Sequence, residues 1–282
     1  MCLSKDYSSS DDSVVVVSDF AQTDLKALRQ RAEAGDPSAQ CGYGIKLGAG
    51  NGLSRSDAEA VEWFRKAAEQ GYAPAQRNLG ICYSLGMGVP QDNVEAAAWY
   101  RRAAEQGYAA AQFNLGVRYE SGTGVPQDKA LAAGWYRKAA EQGDLGAQCN
   151  LAGMLDSGDG IPQDKAQAAM WNRKAAESGD AHAQFNLGVM LHFGLDMPVD
   201  TSQAAEWYRK SAEQGNAKAQ GNLGLLYHQG DGVPQADEEA IEWLRKAAEQ
   251  GSVEAKSNLA LWYGYSVRQG RLSRFKRGRC KG

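Results

Sequence analysis

Residues 88–122 read GVPQDNVEAAAWYRRAAEQGYAAAQFNLGVRYESG, and nearly the same line recurs 36 residues before and after it. Trp99 in that stretch has counterparts at Trp63, Trp135, Trp171, Trp207 and Trp243, all in one register. Gly107 belongs to a second set with Gly35, Gly71, Gly143, Gly179, Gly215 and Gly251. Pro90, Pro126, Pro162, Pro198 and Pro234 keep the same step. A fixed period of this kind is the signature of stacked repeats, in which no single unit buries its apolar face alone.

Each repeat is predicted to be two helices. The first covers 73–85 (APAQRNLGICYSL), where Ala75, Leu79 and Tyr83 recur at four-residue steps on one face. It stops at Gly86 and Gly88, followed by Pro90, because glycine supplies a left-handed turn and proline cannot continue a helix. The second covers 93–106 (NVEAAAWYRRAAEQ), with Asp92 as N-cap and Glu95 completing a capping box. Ser56 with Glu59, Asp164 with Gln167 and Asp200 with Gln203 repeat that chemistry. Ala236 breaks it, leaving Asp237 to serve one residue later.

The small residues Ala75, Gly80, Ala96 and Ala103 let the helices approach closely, and Trp99 and Tyr100 fill the space between layers. All six tryptophans of the register are therefore read as packing residues. Full repeats are expected at about 37–72, 73–108, 109–144, 145–180, 181–216 and 217–252. A leading half repeat (22–34) and a trailing one (253–266) complete an all-α array over 21–267. A Ser/Asp-rich segment, 1–20, is expected to be disordered, and 268–282 is read as a flexible basic tail.

Composition narrows the function class. The chain has 282 residues, 43% of them hydrophobic and 23% charged, which fits a soluble globular protein. Its longest aliphatic run, Val14 to Val17, is far short of the ~20 residues that span a membrane. The start, MCLSKDYSSSDD, lacks the basic and apolar stretches of a secretory signal. The body, 21–267, carries a net charge of −7, which disfavours nucleic acid as a partner. The tail holds seven basic residues and no acid, and reads as a solubilising end or as a contact for an acidic surface. Five cysteines at irregular spacing give neither a disulfide framework nor a zinc site, so free thiols and a cytoplasmic location are expected.

Three motifs, the GxGVPQD turn, the WYRKAAEQG helix end and the AQFNLGxxY start, resemble the Sel1-like repeat family, a relative of the tetratricopeptide repeats. The resemblance covers about residues 22–266. It implies a right-handed superhelical solenoid whose concave groove binds a protein or peptide, with no catalysis and no cofactor. It further implies an adaptor in bacterial signalling, envelope or virulence-related assembly, or alternatively an immunity protein neutralising a secreted toxin. A Cys-rich branch with penicillin-binding or hydrolase members is a third alternative. This chain departs from that branch, because Cys41, Cys82 and Cys149 do not recur in register.

No Walker loop, H-E-x-x-H or strand-flanked G-x-G-x-x-G is present, so no catalytic residue is assigned. If Leu79, Gly80 and Tyr83 pack, the columns of Pro74, Arg77, Ile81, Ser84 and Leu85 face the concavity. The Arg77 column varies, reading Cys41, Arg77, Phe113, Cys149, Phe185, Gly221 and Ser257. The Leu85 column also varies, and includes Phe193. Variation on a constant scaffold suits a partner surface, although unselected drift produces it too. The Ser84 column continues as Glu120, Asp156, His192 and His228. Zinc ligands lie ~2 Å from the ion while neighbouring helices are ~8–10 Å apart, so these residues read as solvated surface or partner contacts, not as a metal site. The candidate partner-binding residues are Arg77, Phe113, Glu120, Asp156, Phe185, His192, Phe193 and His228.

Overall fold

The computed structural model describes residues 24–195 and 197–268, the side chains as far as residue 262. The segment 1–20, Cys2, Cys280 and the basic tail beyond Arg268 lie outside the described residues. Fourteen helices, and no strand, occur among the described residues. They are α1 (Leu25–Glu33), α2 (Pro37–Ala49), α3 (Asp57–Glu69), α4 (Ala73–Leu85), α5 (Asn93–Glu105), α6 (Ala109–Ser121) and α7 (Lys129–Glu141). There follow α8 (Leu145–Ser157), α9 (Lys165–Glu177), α10 (Ala181–Phe193), α11 (Thr201–Glu213), α12 (Ala217–Gln229), α13 (Asp237–Glu249) and α14 (Val253–Arg268). The chain is a helical solenoid of two-helix repeats. Its helices group into two bodies, α1–α8 in residues 24–164 and α9–α14 in residues 165–268.

The caps explain why the pattern repeats. Asp92 Oδ1 accepts the backbone N–H groups of Val94 and Glu95, and Asp128 and Asp200 cap α7 and α11 in the same way. The reciprocal half of the capping box is absent at Asp92, because its own N–H donates to the carbonyl of Tyr83 at 2.8 Å. The equivalent bond recurs from Ser56 to Leu47, Asp128 to Tyr119, Asp164 to Leu155, Asp200 to Leu191 and Ala236 to Tyr227. At α13 the N-cap is Ala236, with no side-chain bond. Asp237 does not take over that duty, since its carboxylate is engaged by His228.

Between the helices of a repeat, glycine carries the turn. Gly86 has φ 70° and closes α4, while Gly88 sits where a Cβ would come within 2.3 Å of the Asp57 carbonyl oxygen. Only a residue without a side chain tolerates both the left-handed backbone and that approach.

Packing rests on a second glycine position, inside the first helix. A Cβ on Gly80 or Gly116 would stand 2.6 Å from the ring of Tyr100 or Tyr136, and one on Gly188 would stand 2.6 Å from that of Tyr208. All three tyrosine rings are fully buried. In the fourth repeat the same two positions read Ala152 and Asn172, a larger residue at the first and a smaller one at the second.

The tryptophans one residue earlier behave differently. Trp99 and Trp171 are buried, but Trp63, Trp135, Trp207 and Trp243 are half-buried. Each of the six lies under the cation three residues on, from Lys66 over Trp63 at 4.1 Å to Lys246 over Trp243 at 3.9 Å. They form a cation-covered flank, and the residue after the tryptophan is fully buried in every repeat but the fourth, where Asn172 is half-buried.

A glutamine ladder ties the opposite helix ends together. Gln70, Gln106, Gln142, Gln214 and Gln250 each donate to the side-chain oxygen of a buried glutamine thirty residues earlier, at 2.7–2.9 Å. Those buried glutamines donate in turn to backbone carbonyls at the end of the preceding helix. Both halves of each amide are thereby satisfied, which is what makes its burial affordable.

Candidate functional site

The candidate residues divide by burial. Arg77 and Phe113 were expected on an exposed face, and the structure buries both, at 4% and 3% exposure. Arg77 turns sideways to donate its Nε to Asn114 Oδ1 on the next first helix, at 3.1 Å. Phe113 lies against Tyr136, their ring centroids 5.8 Å apart. Arg77 therefore points between neighbouring first helices, and Phe113 toward the second helix of its own repeat. Ile81 and Ser84, also read as facing the concavity, are buried as well.

Glu120 and Asp156 are half-buried. Glu120 accepts the phenol O–H of Tyr136 at 2.6 Å, and burial together with that carboxylate pushes the phenol's pKa up. Its place in the column is thus explained first as the outlet for a buried hydroxyl. Arg118 on α6 reaches Ser84 Oγ and lies over the Tyr100 ring.

In the C-terminal body the same columns open. Phe185 is half-buried and packs on Tyr208 with centroids 5.9 Å apart. His192 is half-buried, 3.5 Å from the Tyr208 hydroxyl, and stacks on Phe193 at 4.4 Å. The Tyr208 phenol is pushed up to about 12 by burial. Phe193 itself is 62% exposed. His228 pairs with Asp237 at 2.9 Å and stacks on Trp262 at 3.9 Å, so α12, α13 and α14 meet at one imidazole. Among the described residues no three His, Cys, Asp or Glu side chains are grouped to hold a metal ion.

Two exposed apolar residues escaped the sequence reading. Leu195 and Val199 flank the turn after α10 and stand beside Phe193 in the chain, at 48% and 62% exposure. The signal was present. The turns at 89–92 and 125–128 read VPQD, that at 161–164 IPQD and that at 233–236 VPQA, and their Gln91, Gln127, Gln163 and Gln235 each donate to the carbonyl seven residues earlier. Here the turn reads MPVD, and Val199 replaces that donor with an aliphatic group facing water.

Cys41, Cys82 and Cys149 are buried and form no disulfide, and burial pushes the Cys41 and Cys82 thiols up to about 12. Such thiols are inert as nucleophiles and as ligands.

The Sel1 repeat model matches residues 37–72, 73–108, 109–144, 146–180, 181–216 and 217–252. The chain belongs to the Sel1 repeat family. Sel1 repeats generally mediate protein interaction, and their proteins are generally non-catalytic scaffolds. Among solved structures, one similar to this chain is a protective antigen present in uropathogenic Escherichia coli strains that displays an SLR fold. It is 42% identical with a TM-score of 0.76, and the match covers 86% of this chain and 52% of that one. The chain thus spans about half of that protein's length. A Sel1 repeat protein from Oxalobacter formigenes is 36% identical over 86% of this chain and 68% of its own, with a TM-score of 0.75. No curated protein matches the chain. No helix among the described residues is long and apolar enough to cross a membrane.

Proposed function

We propose that this Sel1 repeat protein is a non-enzymatic scaffold that binds another protein or peptide along its first helices, and that it works as a cytoplasmic bacterial adaptor. The observation that carries the reading is Phe193. A phenylalanine left 62% exposed on an otherwise well-packed repeat, braced by a stacked imidazole and flanked by Leu195 and Val199, has the composition of an interface anchor. The equivalent positions in other repeats hold Ala49, Leu85, Ser121, Ser157 and Gln229, so the repeat scaffold does not require the ring. Three buried cysteines, none of them in a disulfide, suit a reducing compartment.

A photo-crosslinking residue placed at position 193 should capture one dominant protein from the native cell, and the same residue at Val94, exposed on α5, should not. Phe193→Ala should then weaken binding of that protein by about tenfold or more while the melting temperature stays put. Equal capture from both positions, or unchanged affinity in the variant, would remove this face as the partner site.

A further inference from the structure

The Arg77 column of the first helices is buried where it holds Cys41, Arg77, Phe113 or Cys149. Phe185 is half-buried, and Ser257 is exposed on α14, beyond which no further first helix follows among the described residues. Gly221 on α12 differs from all of these. It has a first helix before and after it in its own body, yet nothing lies within 4 Å of where its Cβ would stand. A notch therefore opens in the first-helix face of the C-terminal body at this position.

The chain shows twice what fits there. Phe113 lies on Tyr136 with ring centroids 5.8 Å apart and planes tilted by 40°, and Phe185 lies on Tyr208 at 5.9 Å and 37°. The two pairs belong to different bodies, so the pose is a property of the repeat. Tyr136 and Tyr208 hydrogen-bond to Asn150 and Asn222 on the next first helix, which sets each phenylalanine over the furrow between successive first helices. In the sixth repeat both rings are gone, with Leu244 in the tyrosine position and Gly221 in that of the phenylalanine. Leu244 keeps the floor. It is fully buried, and a Cβ on Gly224, one turn beyond Gly221, would stand 2.8 Å from its Cγ. Leu225 on α12 and Asn258 on α14, both half-buried, stand on either side of the furrow. One turn earlier, the exposed Lys218 and Glu254 put one charge of each sign at its mouth. A mouth without net charge favours a neutral occupant over an ionic one.

We infer that the notch at Gly221 receives an aromatic side chain, a phenylalanine, from the protein or peptide bound on this face, in the pose that Phe113 and Phe185 take in their own repeats. The inference rests on the reading of the first-helix face as the partner site. Phe193 is then the anchor that this chain offers, and the notch takes the anchor that the partner offers in return. Buried aromatic anchors set in well-packed pockets carry most of the energy of such interfaces.

The test titrates the full chain, labelled with heavy nitrogen, with N-acetylphenylalaninamide up to millimolar concentrations and follows the backbone amides by nuclear magnetic resonance. Saturable shifts at Gly221, Leu225 and Asn258 are expected, and N-acetylalaninamide, which has no ring, should not produce them. Gly221→Ala, whose methyl group has room, should weaken the binding several-fold with the fold intact. Gly221→Phe should abolish it and raise the melting temperature, because the chain's own ring then fills the notch. Phe193→Ala should leave this titration unchanged, so a failure of the notch is read apart from a failure of capture at position 193. Shifts confined to the tryptophan flank, equal shifts with the alanine compound, no saturable shift, binding indifferent to both glycine variants, or a lowered melting temperature in Gly221→Phe would each overturn the inference.

Discussion

A Cβ added to Gly80 would stand 2.6 Å from Cε1 of Tyr100, a ring with no exposed surface. That single approach sets how closely the two helices of a repeat can lie, and it recurs at Gly116 with Tyr136 and Gly188 with Tyr208. Gly80→Ala should therefore destabilise the array by about 1–3 kcal/mol through overpacking. Gly134, exposed on α7 with nothing within 4 Å of its added Cβ, is the control. Gly134→Ala should stabilise by about 0.5–1 kcal/mol through helix propensity. Urea unfolding of the two variants gives opposite shifts if the close approach is what matters.

Tyr208 and Trp207 are neighbours in sequence and unequal in packing. Tyr208→Ala should cost about 3–5 kcal/mol, as for other fully buried aromatic rings. Trp207 is half-buried beneath Lys210 at 3.9 Å, so Trp207→Ala should cost clearly less. Lys210→Gln should cost only about 0.5–1 kcal/mol, the worth of an exposed cation–ring contact. Thermal unfolding of the three variants orders them.

His228 joins three helices through Asp237 and Trp262. His228→Ala should loosen α14 ahead of the rest, for a loss of about 1–2 kcal/mol from stacking and a partly buried hydrogen bond to Asp237. Hydrogen exchange should rise in 253–262 and stay unchanged in α4 and α5. Uniform acceleration throughout would contradict this local role.

The buried thiols make stability depend on alkali. Burial holds Cys41 and Cys82 at about 12, while an unfolded thiol loses its proton near its ordinary value of 9. Above that value the unfolded chain binds fewer protons than the folded one, so stability falls as pH rises. The contribution is complete below pH ~9 and is lost on the way to pH ~12. The slope of urea midpoint against pH in that window should flatten in the Cys41→Ala, Cys82→Ala double variant. Neither thiol should react with Ellman's reagent until the protein unfolds.

The period in the tryptophans and glycines displays the helices, their turns and their order in the sequence, because each depends on local chemistry. Gly86 needs a left-handed backbone and Asp92 needs two amides, and both demands are met within a few residues. The faces were harder to read. Arg77 belongs to a variable column and carries a charge, yet it is buried because Asn114, on the next repeat, receives its Nε. A bond between repeats leaves no trace in the periodicity of either helix. The same holds for the tryptophans. Their perfect register marks them as essential to the repeat, but register cannot separate a core ring from one that lies under a lysine.

The recurrent bond from the N–H of Asp92 to the carbonyl of Tyr83 joins the start of each second helix to the last turn of the first. An ordinary helix start frays on its own, and its capping amides exchange with water at almost no free-energy cost. Here the amides of Ser56, Asp92, Asp128, Asp164, Asp200 and Ala236 are spent across the hairpin instead. Each becomes a built-in reporter, whose exchange clock runs on the parting of two helices rather than on the unravelling of one.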